Sequence, residues 1–407
     1  MPLRKVISVE DYERWIGPRG VDRLKDKAKL LQGLHVNHIN STYYGGGVAT
    51  LLSSYVPLFN SLGIHTEWSV IRGRPQFFRI TKEFHHAMQG GPASLPDSTK
   101  RVFEEVVRDN AICLSLDRDD IVIVHDPQPL PLITHVRKRG PWIWRCHVDV
   151  TRPTPVVWNY LKPWIEHYDA VVFSLREYRQ RLRTPQRFFM PAIDPFSALN
   201  RPMSDAAARE CLRRYRIPTD LPLVVQVSRY DRWKDPEGVV RAVQLAQREA
   251  SCRLVLLGNS AQDDPEGEHM FESLLRYRDD RIIISDAGDD SELVNALQRK
   301  AAVVLQKSIR EGFGLTVAEA MWKGTPVIGG NVGGIRRQIT NGVNGFLVSS
   351  IPEAAARIVQ LLKSKSLRVR MGRRAHETVK QHFLLTRYVE QYLDLFNAFE
   401  VQIRLRG

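Results

Sequence analysis

Short apolar runs punctuate the chain: Ile-Val-Ile-Val at 121–124, Leu-Val-Val-Gln-Val at 223–227 with one glutamine, Leu-Val-Leu-Leu at 254–257 and Ala-Ala-Val-Val-Leu at 301–305. Each is too short for a helix and apolar on both faces, which is the pattern of a parallel strand covered on both sides. Between them lie longer segments with helical spacing of apolar positions. In the first half the pattern predicts strands at 33–39, 64–71, 121–124, 142–146, 170–173 and 187–190. Helices are expected over 21–31, 48–62, 99–113, 130–139 and 155–167, with residues 1–20 as a polar extension and 72–96 irregular around Gly90-Gly91-Pro92. Residues 193–204, with Pro195 and Pro202, read as a linker. The alternation then restarts, with strands at 223–227, 254–257, 282–284, 301–305, 327–328 and 346–348 and helices over 236–249, 266–277 and 290–299. Three helices, 352–363, 367–381 and 384–402, close the chain. Strand and helix in alternation specify an α/β protein with doubly wound parallel sheets.

Ligands of such sheets bind beyond the carboxyl ends of strands, and the chemically unusual residues gather there. Ser308 to Ala320 contains Glu311, Gly312, Gly314 and Glu319 between a strand and a helix. The glycines permit a tight turn or close approach, and the following helix offers free amides and a positive dipole end to an anion. The carboxylates suit hydroxyls, so phosphate and polyol groups together fit the stretch. Thr316-x-x-Glu319 is also a capping box, so Glu319 has a structural reading beside the functional one. Gly45-Gly46-Gly47 opens the 48–62 helix; three adjacent glycines cost roughly 0.5–1 kcal/mol each in backbone entropy, and they read either as a phosphate cradle or as a tight turn. His125, Asp126 and Gln128 follow one strand, and His147 and Asp149 follow another. Together they suit binding a sugar's hydroxyls and polarising one of them. Arg229 and Lys234 follow the first strand of the second half, where two cations suit a diphosphate and its departure. Gly329-Gly330-Asn331-Val332-Gly333-Gly334 keeps amides available near the same place. Asp117-Arg118-Asp119 matches a metal-binding D-x-D in letters, but it precedes its strand and so reads as a solvated turn at the wrong end of the sheet.

Composition narrows the class. The 407 residues carry a net charge of +14, which raises nucleic acid as a partner. The basic residues are interleaved with acidic ones, however, and the Arg-rich segments 176–187 and 368–374 read as solvated surface. No apolar run approaches the roughly 18 residues that span a membrane. The four cysteines lack any C-x-x-C pair, and with no apolar leader this places the expectation in a reducing cytoplasm without a disulfide framework.

Glu311-Gly312-Phe313-Gly314-Leu315, Glu319-Ala320, Gly324-Thr325-Pro326-Val327-Ile328, Gly333-Gly334 and Asn344-Gly345-Phe346-Leu347-Val348 occur in order. On these residues the chain resembles the retaining GT-B glycosyltransferases with an E-x7-E signature. His125-Asp126-Pro127-Gln128-Pro129-Leu130-Pro131-Leu132, Arg145-Cys146-His147-Val148-Asp149 and Trp322-Lys323-Gly324-Thr325-Pro326 make it similar, more narrowly, to the trehalose glycosyltransferring synthases. The resemblance implies two Rossmann-like domains facing across a cleft: 1–195 on the acceptor side, with 384–407 crossing back onto it, and 196–383 binding the nucleotide sugar. It implies a donor site at Glu311, Gly312, Phe313, Gly314 and Leu315, with Glu319 on the ribose, Arg229 and Lys234 on the diphosphate, and the amides of Gly46 and Gly47 assisting. Glu311 would hold the donor sugar and His147 would face the transferred sugar, so Glu311, His147, Arg229 and Lys234 are the catalytic candidates. Strand-end position assigns the acceptor to Asp126, Gln128 and Asp149. The expected partners are NDP-glucose and glucose or trehalose, with no metal, no further cofactor, no nucleic acid and no membrane; a homodimer is compatible. A retaining trehalose phosphorylase, or another NDP-sugar transferase with a different acceptor, is the alternative. Where related transferases often carry Gly-Gly-x-Pro-Glu, this chain has Gly333-Gly334-Ile335-Arg336-Arg337.

Overall fold

The computed structural model describes residues 7–43, 46–258 and 265–400. They form two compact units: one runs to Pro191 and takes up the chain again from Leu385, and the other is Ala192–Leu384. The first holds strands β1 His35–Asn40, β2 His65–Val70, β3 Ile121–His125, β4 Trp142–Arg145, β5 Ala170–Phe173 and β6 Gln186–Phe188. All are parallel, in the order β2-β1-β3-β4-β5-β6. The second unit holds β7 Leu223–Val227, β8 Arg253–Leu257, β9 Ile282–Ser285, β10 Ala301–Gln306, β11 Val327–Gly330 and β12 Phe346–Val348. Its order is β12-β11-β10-β7-β8-β9, again parallel.

The apolar runs sit where their pattern requires. Val122, Ile123, Val124, Trp144, Val171 and Val172 in one sheet and Val224, Leu254, Val255, Val303 and Val304 in the other have no exposed surface. Each fully buried Val, Leu or Ile contributes about 1.5–3 kcal/mol. Strand order reverses between β1 and β3 in the first unit and between β7 and β10 in the second. At such a point the helices leave to opposite faces and open a crevice at the carboxyl ends.

Several expectations are corrected. Residues 75–88 are a helix, Pro75–Met88, which buries Phe77, Ile80, Phe84, Ala87 and Met88 along one face. That spacing is helical, but Arg79, Lys82, His85 and His86 interrupt its apolar appearance. The helix expected at 130–139 is only a 3-10 turn, Leu130–Thr134, whose first four residues are all buried, so the segment lacks the polar face that an amphipathic helix presents. A helix not anticipated, Asp205–Arg214, follows the linker, with the Ser204 hydroxyl accepting from the Ala207 amide. The polar extension is helical too: Glu13–Ala28, kinked at Gly17. Through Arg23 and Lys27 it makes ion pairs with Glu390 and Asp394 of the helix Leu385–Asn397. Among the described residues no helix is long and apolar enough to cross a membrane.

Candidate active site

In the second unit the stretch after β10 enters the helix Leu315–Trp322 through Gly314, whose φ of 84° is the left-handed conformation that glycine adopts without strain. Gly334 is required for a different reason. A Cβ there would overlap the Cα of Phe313 and sit 2.8 Å from the Gly312 carbonyl oxygen. The Gln338 amide clamps the same turn, donating to the Phe313 carbonyl at 2.6 Å.

The turn carries Glu311, 8% exposed. Its Oε2 lies 2.5 Å from Lys234 Nζ, and the Ser308 hydroxyl donates to it at 3.4 Å. Lys234 is presented by a short turn after β7, Arg232–Lys234, capped by Asp231. The Gln226 amide pins the Lys234 carbonyl at 2.9 Å. The next residue, Asp235, has φ 51° and caps the helix Pro236–Ala246 while pairing with Lys307. Two ion pairs therefore cross between the same segments, Lys234 with Glu311 and Asp235 with Lys307. Arg229 stands apart: its side chain is 57% exposed and it pairs with Asp231 at 3.6 Å. Arg336 and Arg337 begin the exposed side of a short helix, Ile335–Gln338.

The capping reading of Glu319 is overturned. The N-cap is Gly314, with no side-chain bond, so Thr316 and Glu319 both lie inside the helix. The left-handed turn starts the helix two residues earlier than the Thr-x-x-Glu signature requires. Glu319 is instead buried, and burial holds its carboxyl above the usual range against the opposing pull of Lys323. Burial pushes the Lys323 amine down to about 7, and that amine donates to Asn200 Oδ1 at 2.9 Å.

In the first unit His125 ends β3 beside Arg145 of β4 in register. His125 is fully buried, and its Nδ1 lies 2.9 Å from His147 Nε2. On its other side Nε2 lies 3.0 Å from His38 Nδ1, which the Tyr55 hydroxyl also reaches at 2.9 Å. Asp126 holds φ 61°, an uncommon conformation for a non-glycine residue that costs of order 1–3 kcal/mol and clusters at functional sites. Its Oδ1 accepts the His147 amide at 2.8 Å, and its carbonyl accepts Trp144 Nε1 at 2.9 Å. Burial raises the Asp126 carboxyl to about 6. Gln128 is buried, with no partner for Oε1. Arg145 is wholly buried and donates to the carbonyls of Val172 and Phe189 and to the Ser174 hydroxyl.

The structure thus joins Lys234 to Glu311, Asp126 to His147, and His147 to His125. It leaves Asp149 satisfied locally by the Thr151 amide at 2.9 Å. Gly46 and Gly47 begin the helix Gly46–Ser61, and Gly45 lies outside the described residues. Asp119 is no solvated turn: it is 5% exposed, accepts from Asn37 Nδ2 at 3.1 Å, and burial lifts its carboxyl to about 6. Asp117 and Arg118 are exposed. Among the described residues no group of three or more His, Cys, Asp or Glu is placed to hold a metal ion. His38, Tyr55, Arg145, Lys307 and Gln338 were missed as site residues. A histidine inside the strand β1 was the one local signal among them.

Comparison with known proteins adds to this geometry. A family described as trehalose synthase, N-terminal domain, matches residues 38–180, and one described as glycosyl transferases group 1 matches residues 209–378. The trehalose synthase of Pyrococcus horikoshii is 41% identical over 398 residues, covering 96% of each chain. The trehalose phosphorylase of Pleurotus pulmonarius is 26% identical over 85% of this chain, which spans 54% of that longer protein. Among solved structures, sucrose-phosphate synthase from Thermosynechococcus elongatus superposes with a TM-score of 0.68 at 20% identity, over 90% of this chain and 98% of that one. That likeness is one of fold, GT-B.

Proposed function

The chain belongs to the trehalose synthase family of group 1 glycosyltransferases, and from that membership we propose that it moves glucose from a nucleoside-diphosphate glucose to free glucose, forming trehalose with retention. The observation that carries this reading is the contact of Lys234 with Glu311 at 2.5 Å, beside Gly312 and Gly314 at a helix start. A diphosphate needs a cation and free amides; a hexose needs a carboxylate that accepts from its hydroxyls. Lys234 and the start of the helix Leu315–Trp322 answer the first demand, and Glu311 answers the second. Arg229, exposed and on the same strand-end segment, adds the second charge.

Retention requires either a covalent glycosyl intermediate or same-face substitution. Glu311 is the nucleophile the motif offers, and its carboxylate is engaged by Lys234. We therefore favour same-face substitution. The bond from the anomeric carbon to the β-phosphate oxygen breaks as the bond to the acceptor oxygen forms. The acceptor's proton passes to the departing phosphate. Lys234 and Arg229 stabilise the charge that develops on the diphosphate, with no divalent metal in the step. Asp126 and Gln128 hold acceptor hydroxyls, a role supported by the open Oε1 of Gln128. Asp149 already accepts from Thr151 and would offer its remaining oxygen to the acceptor, and the motif assigns Glu319 to the ribose.

The test is direct: NDP-glucose and glucose should give equal amounts of NDP and a non-reducing disaccharide. Turnover only with another acceptor would sink the trehalose assignment and leave the transferase. A second reading, phosphorolysis of trehalose, is favoured by the phosphorylase likeness. It predicts glucose phosphate from trehalose and inorganic phosphate with no nucleotide present.

A further inference from the structure

The turn after β7 and the stretch after β10 are fastened together at three points. The Trp233 carbonyl accepts the Ile309 amide at 2.8 Å, Lys234 meets Glu311, and Asp235 pairs with Lys307. The two ion pairs run in opposite senses: the turn supplies the cation to one and the carboxylate to the other. The second pair is also shielded from water, with Lys307 and Asp235 12% and 20% exposed.

The Asp235 carboxylate serves two partners. Its Oδ1 accepts the Gly238 amide at 3.1 Å and caps the helix Pro236–Ala246, while Oδ2 meets Lys307. A Cβ on residue 238 would overlap this carboxylate, so the backbone there is shaped to admit it. A cap alone does not need a charge, because asparagine or serine serves as well. The charge is matched to Lys307. Breaking a shielded ion pair by removing one partner leaves the other uncompensated. Without Lys307, the Asp235 carboxylate would compete with Glu311 for the amine of Lys234, its neighbour in the chain. Without the Asp235 charge, Lys307 would compete with Lys234 for Glu311.

We propose that Lys307 and Asp235 are positioning residues: by neutralising each other they leave Lys234 and Glu311 paired, which holds the Lys234 amine at the place assigned to the diphosphate. The pairing stands on the contacts alone; its use in transfer rests on the reaction proposed above. The experiment combines steady-state kinetics with a nitrogen–proton spectrum of the full chain labelled at the lysine side-chain nitrogen, Lys234 being assigned by its loss in Lys234→Ala. In the wild type Glu311→Gln should move the Lys234 signal. Lys307→Met should itself move that signal, make it insensitive to Glu311→Gln, and lower kcat about tenfold, the worth of a hydrogen bond to a charged group. Asp235→Asn keeps a cap and tolerates the left-handed backbone, and should also shift the signal and lower kcat. The double variant Asp235→Asn with Lys307→Met carries neither charge and should return the Lys234 signal and most of kcat, which a purely structural tie would not do. A Lys234 signal unmoved in both single variants, or a double variant no better than the worse single one, overturns the proposal. If Lys307→Met does not fold, Asp235→Asn and the double variant decide by the same two readouts. The expected spectra from a protein that makes no disaccharide would refute the reaction and not the positioning.

Discussion

Replacing Glu311 should abolish transfer and tighten nucleotide binding. Its carboxylate lies 2.5 Å from Lys234 Nζ, and the two side chains are 10% and 18% exposed. In the free protein that negative charge therefore neutralises the cation assigned to the diphosphate and also repels the ligand. Two unit charges 4 Å apart at an effective dielectric of 20 interact by about 4 kcal/mol. Solvent at the pair and the added ligand charge reduce this; taking a third leaves about 1.4 kcal/mol, or about tenfold in Kd. Glu311→Gln keeps the shape and removes the charge, so it should show the same tightening as Glu311→Ala. Calorimetric titration with NDP measures Kd for the wild type and both variants, while NDP release with glucose measures turnover. If both variants bind NDP several-fold more weakly than the wild type, Glu311 is holding Lys234 in place and not competing for it, and the reasoning fails.

Lys234→Ala and Arg229→Ala should each retain the circular-dichroism spectrum of the wild type and lose turnover, by about 10²–10³ for Lys234, as expected for removing one preorganised charge from a leaving group; near-normal rates would remove the diphosphate role. Asp126 makes stability depend on pH: its folded value of about 6 lies above the unfolded value near 4, so its contribution is full below about pH 4 and is lost as pH rises to about 6. A melting-temperature series over that range should show a steeper fall in the wild type than in Asp126→Asn, which tolerates the same left-handed backbone and keeps only the similar contribution of Asp119. Gln338→Ala frees the Phe313 carbonyl and should raise the KM for the nucleotide sugar several-fold with a smaller change in kcat; an unchanged KM would make the clamp irrelevant to the donor.

Both six-stranded sheets were legible because burial on two faces leaves unbroken apolar runs such as 254–257 and 301–305. Pro75–Met88 was obscured by the charged positions Arg79, Lys82 and Glu83 among its buried Phe77, Ile80 and Phe84 and by His85 and His86 after them. Chemistry was legible as separate strand-end clusters, and less so as pairs. Lys234 and Glu311 were each singled out, but their contact depends on β7 and β10 lying side by side, which no local pattern states. His38 went unread for the same reason: its partner His125 is reached only through β1 and β3 becoming neighbours. The Thr316-x-x-Glu319 signature misled because Gly314 enters the left-handed region and moves the helix start upstream.

The helix Leu385–Asn397 packs on the first unit, with Tyr392 against Tyr55 and Phe396 against Phe59. On the ribosome, those aromatic sockets emerge early and their cover is made only after the whole second unit, Ala192–Leu384. At about 5–20 residues per second the wait is on the order of 10–40 s. Throughout it the first unit presents an uncovered greasy groove to the crowded cell, so this enzyme's yield during synthesis depends on whatever shields Tyr55 and Phe59 until the last helix arrives.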